Sequence, residues 1–419
     1  MIEYIERHTQ NRLLNALAIS PVVFLNGPRQ SGKSTLVQHI TREDFPAEYV
    51  TLDSATQMAA AAAAPELWLK ERKGSLIIDE IQLVPEVFRA LKTVVDELRR
   101  THLQTQDENA RRRFLLTGSA NIMALPKLSD PLVGRMRVLT LYPLSGAEAV
   151  QSKGAYVDRL FARDFLPDKG GRALSGIVRM ATFPEISGVS GCERSGWFEG
   201  YLTTILQRDV RSLAEIEKLG ALPNLLRILG ARAGGLVNDA GIARDAGLNH
   251  MTARNYKTLL QMLFLTFELA PWHRNIGKRL VKAPKGYVID TLLLCHLLQY
   301  DLDDLEKNRP ELFGHVVENF VAAELVKLTA NSDHRPVLRH FRTGDNKEVD
   351  FVLEKPNGQL AGVEVKIGDR VKASDFNGLE CLQALAKDDF VCGAVLYRGR
   401  DVVPFGKNLW AVPIANLWL

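Results

Sequence analysis

The stretch Gly27-Pro28-Arg29-Gln30-Ser31-Gly32-Lys33-Ser34-Thr35 sets two glycines around four residues and follows them with a lysine and two hydroxyls. Such a loop can curl until its backbone N–H groups face the phosphates of a nucleoside triphosphate, with Lys33 as a point charge and Ser34 offering its hydroxyl to Mg²⁺. Further along, Leu76-Ile77-Ile78-Asp79-Glu80 ends an apolar run in two acids. That pattern delivers Asp79 toward the metal and Glu80 toward an attacking water, the division of labour that hydrolysis needs. Phe114-Leu115-Leu116-Thr117-Gly118-Ser119 ends another apolar run in hydroxyls. Thr117 and Ser119 can touch a terminal phosphate or orient the water, or else cap the next turn. Gly134-Arg135 is placed for an arginine that reaches across a subunit boundary to a neighbour's phosphate, with Arg137 as a rival. A second constellation lies in the C-terminal region. Asp350 and the Glu364-x-Lys366 pair sit on two short strand patterns, so both carboxylates can alternate onto one sheet face and converge on Mg²⁺ while Lys366 orients water or steadies a phosphate. Glu318 on the preceding helix can complete that metal site.

These groups must be held by recognisable elements. Val22-Val23-Phe24-Leu25-Asn26 suits a buried parallel strand, and Ser34 to Ile40 reads as the first turns of the helix after it. Tyr49 to Asp53 and Val138 to Leu141 supply two more strands. Pro85 to Arg100 is an amphipathic helix with Val87, Phe88, Leu91, Val94, Val95 and Leu98 on the face that covers the sheet. In the C-terminal region a helix spans Gly314 to Leu325, and strands at Glu348 to Leu353 and Gly362 to Lys366 are joined by a turn at Pro356-Asn357-Gly358.

Between the two constellations, Asn238 to Leu248 reads as a short helix closed by a glycine turn, and the next helix runs from about Asn249 to Gln261. Helix, tight turn and helix is the helix-turn-helix plan, whose second helix would display His250, Thr252, Arg254 and Lys257 to DNA. Strand-like runs at Leu263 to Leu269 and Tyr287 to Asp290 flank a segment carrying Arg274, Lys278, Arg279, Lys282 and Lys285 without any acid. A basic hairpin in that place is a wing suited to lie along phosphates. The alternative is a winged helix used for protein contacts, with a solvated basic loop.

At 419 residues the chain can bury substantial cores without metal or disulfide staples, and its net charge of +4 is compatible with nucleic-acid binding without demanding it. The four cysteines lack C-x-x-C spacing and read as core residues of a reduced protein. Charged residues among Met1 to Arg12 exclude a signal-peptide core, and no apolar run approaches the ~20 residues of a membrane span, so a soluble cytoplasmic protein with no membrane partner is expected.

Taken in order, the phosphate loop, Leu-Ile-Ile-Asp-Glu, Leu-Thr-Gly-Ser, Gly-Arg and Tyr142-Pro143-Leu144-Ser145 resemble the AAA+ ATPases that carry a C-terminal DUF4143 region. The resemblance implies an α/β fold. Its parts are an ATPase core over residues 1–150 with a five-stranded parallel sheet in the order 5-1-4-3-2, a helical lid over 151–219, a winged helix over 220–300, and a module over 301–419 similar to restriction-endonuclease and Holliday-junction-resolvase folds. It also implies ATP and Mg²⁺ as cofactors. Ala181-Thr182-Phe183-Pro184-Glu185 resembles the family's Gly-Gly-x-Pro-Glu turn without its glycines, and Arg208 matches the end of a family helix as a second sensor. The function expected is ATP hydrolysis coupled to action on duplex or branched DNA by a ring, a hexamer on AAA+ precedent, working as a translocase, helicase or branch-migration motor. Two alternatives are an ATP-dependent switch or scaffold for protein partners and an ATP-gated, Mg²⁺-dependent nuclease.

Overall fold

The computed structural model describes residues 4–105, 112–121, 132, 134–189, 191–210, 219–275 and 282–419. They form two compact units, one made of Glu6–Pro143 with Met262–Phe264, the other mainly of Leu144–Gln261 and Leu265–Leu419.

The first unit is built on five parallel strands, β1 (Val22–Asn26), β2 (Glu48–Thr51), β3 (Leu76–Asp79), β4 (Phe114–Gly118) and β5 (Met136–Thr140), in the spatial order β2-β3-β4-β1-β5. This is the order expected from the resemblance, read from the other edge. The three inner strands are buried at every residue, which is why they are near-continuous apolar runs, whereas the edge strands β2 and β5 are partly exposed. Along β1 the side chains alternate. Val23 and Leu25 join Leu13 and Leu17 of the helix Thr9–Ile19 and Leu36, Val37 and Ile40 of the helix Lys33–Ile40 in one core. Phe24 points the other way and meets Phe88 of the helix Glu86–Thr105 edge-on at 6.1 Å. Each such side chain contributes about 1.5–3 kcal/mol by burial. Parallel pairing with Leu25 opposite Thr117 and Ile78 opposite Leu116 brings the C-terminal tips of β1, β3 and β4 to one edge of the sheet.

The second unit contains a six-stranded mixed sheet of β8 (Val337–Arg342), β9 (Glu348–Glu354), β10 (Leu360–Val365), β11 (Phe390–Tyr397), β12 (Val403–Gly406) and β13 (Leu409–Pro413), ordered β12-β13-β11-β10-β9-β8. A small antiparallel pair, β6 (Thr266–Leu269) and β7 (Lys285–Val288), precedes it. Strands β9 and β10 form the expected hairpin, with Val352 opposite Gly362 and Phe351 opposite Val363. The helix Pro310–Asn331 carries Phe313, Val317, Phe320, Leu325 and Leu328 into the interior and is buried on most sides from Val316 to Leu328, which is why that stretch lacks a wide polar face. Its buried Glu324 and Lys327 satisfy one another at 2.9 Å, and their remaining valences go to the backbone at Gly146 N (2.7 Å) and Leu144 O (2.9 Å). The helix-turn-helix is present as Asp239–Asp245 and His250–Met262, each capped by an asparagine: Gly241 N donates to Asn238 Oδ1 and Thr252 N to Asn249 Oδ1. β7 starts two residues earlier than its sequence pattern suggests, so Lys285 lies inside the sheet, opposite Leu269, instead of in the basic connection. Among the described residues no helix is long and apolar enough to cross a membrane.

Candidate functional site

The phosphate loop leaves β1 through Gly27, whose φ of +149° and close approach to β5's exit exclude a side chain: a Cβ there would lie 2.1 Å from Leu141 O. Gly32 ends the loop with φ +90° and starts the helix Lys33–Ile40, aiming a helix N-terminus into the loop. Lys33 is buried, and its Nζ donates to Gly27 O at 3.0 Å and Pro28 O at 2.8 Å, so the ammonium is held within the loop it is expected to serve. Ser31 Oγ is buried with no hydrogen-bond partner. Arg29 is half-buried, and Gln30 and Thr35 are exposed. Beneath the loop lies Arg7, only 5% exposed, whose guanidinium donates to Ser31 O at 2.7 Å and Tyr142 O at 2.6 Å. Nothing in its sequence surroundings marks Arg7, which sits in a run of ordinary surface-type residues.

Asp79 is the hub of the strand tips. Its Oδ2 accepts from Ser34 Oγ at 2.9 Å and from Tyr49 OH at 2.6 Å, and its Oδ1 accepts from Thr117 Oγ1. Burial and then the Asp79 carboxylate push the Tyr49 phenol well above its ordinary pKa, so it stays a donor. Tyr49 was visible in sequence only as a strand residue. Thr117 is fully buried and also accepts from Glu80 N at 3.3 Å. Its hydroxyl is therefore engaged in holding Asp79 and the Glu80 backbone. Glu80 follows with φ +58°, a left-handed conformation costly for a side-chain-bearing residue and typical of functional positions. Gln82 Nε2 donates both to Glu80 Oε2 and to Ser119 Oγ, the latter at 3.0 Å, linking the expected base to the expected sensor.

Arg135 departs from its expected role. Its Nε and Nη2 bind Asp96 Oδ1 and Oδ2 at 2.7 and 3.0 Å, a bidentate pair to the sheet-covering helix of its own unit, and this pairing holds the Asp96 carboxyl below its usual pKa. Reaching a neighbour would mean breaking that fork. Arg137, the rival, is exposed on the edge strand β5. The side chain of Arg208 lies outside the described residues.

In the second unit the expected metal ligands meet a lysine. Lys285 Nζ is 3.2 Å from Glu318 Oε1 and 3.2 Å from Asp350 Oδ1, and it also pairs with Glu348. Asp350 Oδ2 accepts from Val365 N at 3.0 Å, Glu364 Oε1 pairs with Lys366 at 2.8 Å, and Glu364 Oε2 accepts from Asp350 N at 3.3 Å. Among the described residues no group of three or more His, Cys, Asp or Glu side chains is arranged to hold a metal ion. Glu318 and Asp350 thus share an ammonium with Glu348, while Glu364 is held by Lys366 and the Asp350 backbone. Burial and then Asp350 push Glu318 up to about 7 and Glu364 up to about 8. Burial pulls Lys285 down, but Asp350, Glu318 and Glu348 outweigh it and leave its pKa raised. The sequence signal for this lysine was its period-two pairing with the apolar-core Tyr287 along β7.

Of the DNA-facing candidates, His250 and Arg254 are exposed and Thr252 half-buried on the second helix of the helix-turn-helix. Lys257 is a correction: it is 8% exposed and its Nζ is bound by Asp239 at 2.7 Å and Glu268 at 2.9 Å, because it falls on the helix's inward face. Arg274 and Lys282 are exposed and donate to the carbonyls of Leu385 and Arg342. Lys278 and Arg279 lie outside the described residues.

A phosphate loop on the first strand of a 2-3-4-1-5 parallel sheet, with a carboxylate pair at the tip of the third, defines a P-loop ATPase of the AAA type. The chain belongs to the family of AAA-type ATPases with a C-terminal DUF4143 region: residues 20–150 match the AAA domain and 313–417 the domain of unknown function DUF4143. Residues 180–304 match a further domain of unknown function, DUF8612. Over 408 residues the chain is 31% identical to "Uncharacterized protein Rv2008c" of Mycobacterium tuberculosis and to "Uncharacterized protein Mb2031c" of Mycobacterium bovis, covering 97% of this chain and 83% of each relative. Similar solved structures include the Walker-type ATPase PABY2304 of Pyrococcus abyssi (13% identity, TM-score 0.41, 70% of this chain and 96% of that one) and the Aeropyrum pernix ORC2 protein (16% identity, TM-score 0.30, 75% and 91%).

Proposed function

We propose that this AAA-type ATPase hydrolyses ATP with Mg²⁺ at Gly27–Thr35 and uses the cycle to act on DNA as a cytoplasmic ring, a hexamer if it follows its fold class. The observation that carries the reading is the gathering of Lys33, Ser34, Asp79 and Glu80 at one sheet edge, with Ser34 Oγ and Asp79 Oδ2 2.9 Å apart. These hard oxygen donors fit Mg²⁺, and the buried, unpartnered Ser31 hydroxyl marks a loop with hydrogen-bonding capacity in reserve. The ion, when bound, would neutralise phosphate charge. The chain's own groups do the rest. Loop N–H groups and the helix N-terminus hold the phosphates, Lys33 exchanges its two carbonyl acceptors for phosphate oxygens, and Glu80 takes a proton from water while Gln82 fixes its carboxylate. Thr117 and Tyr49 keep Asp79 aimed. With Arg135 tied to Asp96, Arg137 is the better-placed finger for a neighbouring subunit.

The helix-turn-helix, exposing His250 and Arg254, supports DNA as the target of a translocase, helicase or branch-migration motor. A second reading, an ATP-dependent switch for a protein partner, is favoured by Met251, which is 64% exposed on the same helix. The engaged Asp350 cluster gives no support to an ATP-gated nuclease. The test is ATPase turnover with and without forked DNA, together with DNA anisotropy at two salt concentrations for the parent and Arg254→Glu. DNA action requires stimulated turnover and salt-dependent binding weakened by Arg254→Glu. Unchanged turnover with no binding at low salt would leave the switch. Imaging Glu80→Gln with ATP reports the ring.

A further inference from the structure

We infer that the nuclease-like region is a metal-free module in which the Lys285 ammonium occupies the place of a divalent cation and fastens the β6–β7 hairpin to the C-terminal sheet. An ammonium has three N–H donors, and here three carboxylates from two elements receive them: Glu318 from the helix Pro310–Asn331, and Glu348 and Asp350 from β9, with Lys285 itself 3% exposed. Neighbouring donors reinforce the cluster. Tyr287 OH donates to Glu318 Oε1 at 2.9 Å, Val365 N to Asp350 Oδ2 at 3.0 Å, and Lys366 to Glu364 Oε1 at 2.8 Å. Arg342 adds a further positive charge 3.5 Å from Glu348 Oε2. A divalent ion would therefore have to displace a buried cation from oxygens already bonded.

The lysine cannot readily withdraw, because its strand is fixed on both sides. Gly234 N donates to Gly286 O at 2.9 Å and Gly286 N to Gly235 O at 3.1 Å, while Asn319 on the buried helix brackets Val288 with bonds to its N–H (2.9 Å) and its carbonyl (3.1 Å). The same contacts give the cluster its positive role. Lys285 belongs to the stretch matched by DUF8612 and its three carboxylates to DUF4143 or its first helix, so the ammonium joins the two sequence families into one folded unit.

Iron-directed hydroxyl-radical cleavage of the full-length protein tests this. Fe²⁺ stands in for Mg²⁺ and cuts the backbone near wherever it binds, and mass analysis locates the cuts. With ADP present, cuts near Ser34 and Asp79 serve as the internal control. The parent protein should show none within residues 348–366, and supercoiled plasmid should stay intact in Mg²⁺ or Mn²⁺. Lys285→Met should gain cuts there and a melting temperature that rises with Mn²⁺, a rise absent from the parent. If Lys285→Met does not fold, Lys285→Met with Glu348→Gln removes one charge of each sign and leaves Glu318, Asp350 and Glu364 in place. Cuts at 348–366 in the parent would overturn the inference, as would their absence from both the parent and a folded variant, since the ammonium would then not be what keeps the ion out.

Discussion

Replacing Arg7 with alanine should loosen the phosphate loop from below. The guanidinium is buried and makes two charge-assisted hydrogen bonds, to Ser31 O at 2.7 Å inside the loop and to Tyr142 O at 2.6 Å just past β5. Hydrogen bonds to charged groups contribute about 1.5–3 kcal/mol each, so losing both costs up to about 3–6 kcal/mol before relaxation. Water entering the vacated volume can satisfy the two carbonyls, which lowers the expected loss to about 2–4 kcal/mol. For a unit of this size the midpoint of thermal unfolding should fall by about 6–14 °C. The share that orders Ser31 is drawn on when phosphate binds, so ATP affinity should weaken about tenfold, equivalent to about 1.4 kcal/mol. Arg7→Lys should recover part of the stability, since an ammonium lacks the fork that spans two carbonyls. The measurements are calorimetric unfolding and the Kd of a fluorescent ATP analogue. Parental values of both for Arg7→Ala would refute the reasoning, and lost stability with parental affinity would confine Arg7 to the fold.

Glu80→Gln should abolish hydrolysis while retaining ATP, and Gln82→Ala should lower kcat about tenfold with KM nearly unchanged, because one hydrogen bond of about 1–1.5 kcal/mol aligns the base; steady-state kinetics decide, and a parental kcat in either variant removes that residue from the mechanism. Lys257→Met should lower stability by about 2–3 kcal/mol, since two carboxylates lose their shared cation, and leave the salt dependence of DNA binding as it was; weakened DNA binding with unchanged urea unfolding would restore Lys257 to the DNA face. Burial and then the Lys285 charge hold His340 down to about 4, so the native state binds fewer protons than the unfolded chain between there and the ordinary histidine value. Its contribution is complete above about 6.5 and is lost as pH falls toward 4, amounting to about 2–3 kcal/mol. The difference in urea midpoint between the parent and His340→Gln should narrow across that window, and a constant difference would exclude the histidine.

The ATPase core was legible because its chemistry and its geometry are written in the same residues. A parallel strand buried on both faces has to be an apolar run, and its functional group has to sit at the C-terminal tip, so Asp79 and Glu80 announce both at once. Tyr49 and Arg7 were not legible because they act through contacts 30 and 135 residues away, which no local pattern encodes. Thr117 and Arg135 show the reverse limit. Each stands at the expected position, and each is engaged by a carboxylate of its own unit.

Lys257 and Lys285 carry the same lesson into the basic region. Both were counted as positive charge offered to phosphates, and both are buried on carboxylates: Lys257 on Asp239 and Glu268, and Lys285 on Glu318, Glu348 and Asp350. A run without acids in sequence says nothing about acids brought to it from elsewhere by the fold. What remains of the candidates for a polyanion among the described residues is Arg254, Arg274 and Lys282. Under the proposed DNA reading, these three cations would support a salt slope of about −2.7 if they alone met the phosphates. In the proposed function the helix-turn-helix would therefore supply only a modest electrostatic grip, which a ring would multiply by presenting it once per subunit, so the proposed DNA action depends on the proposed assembly.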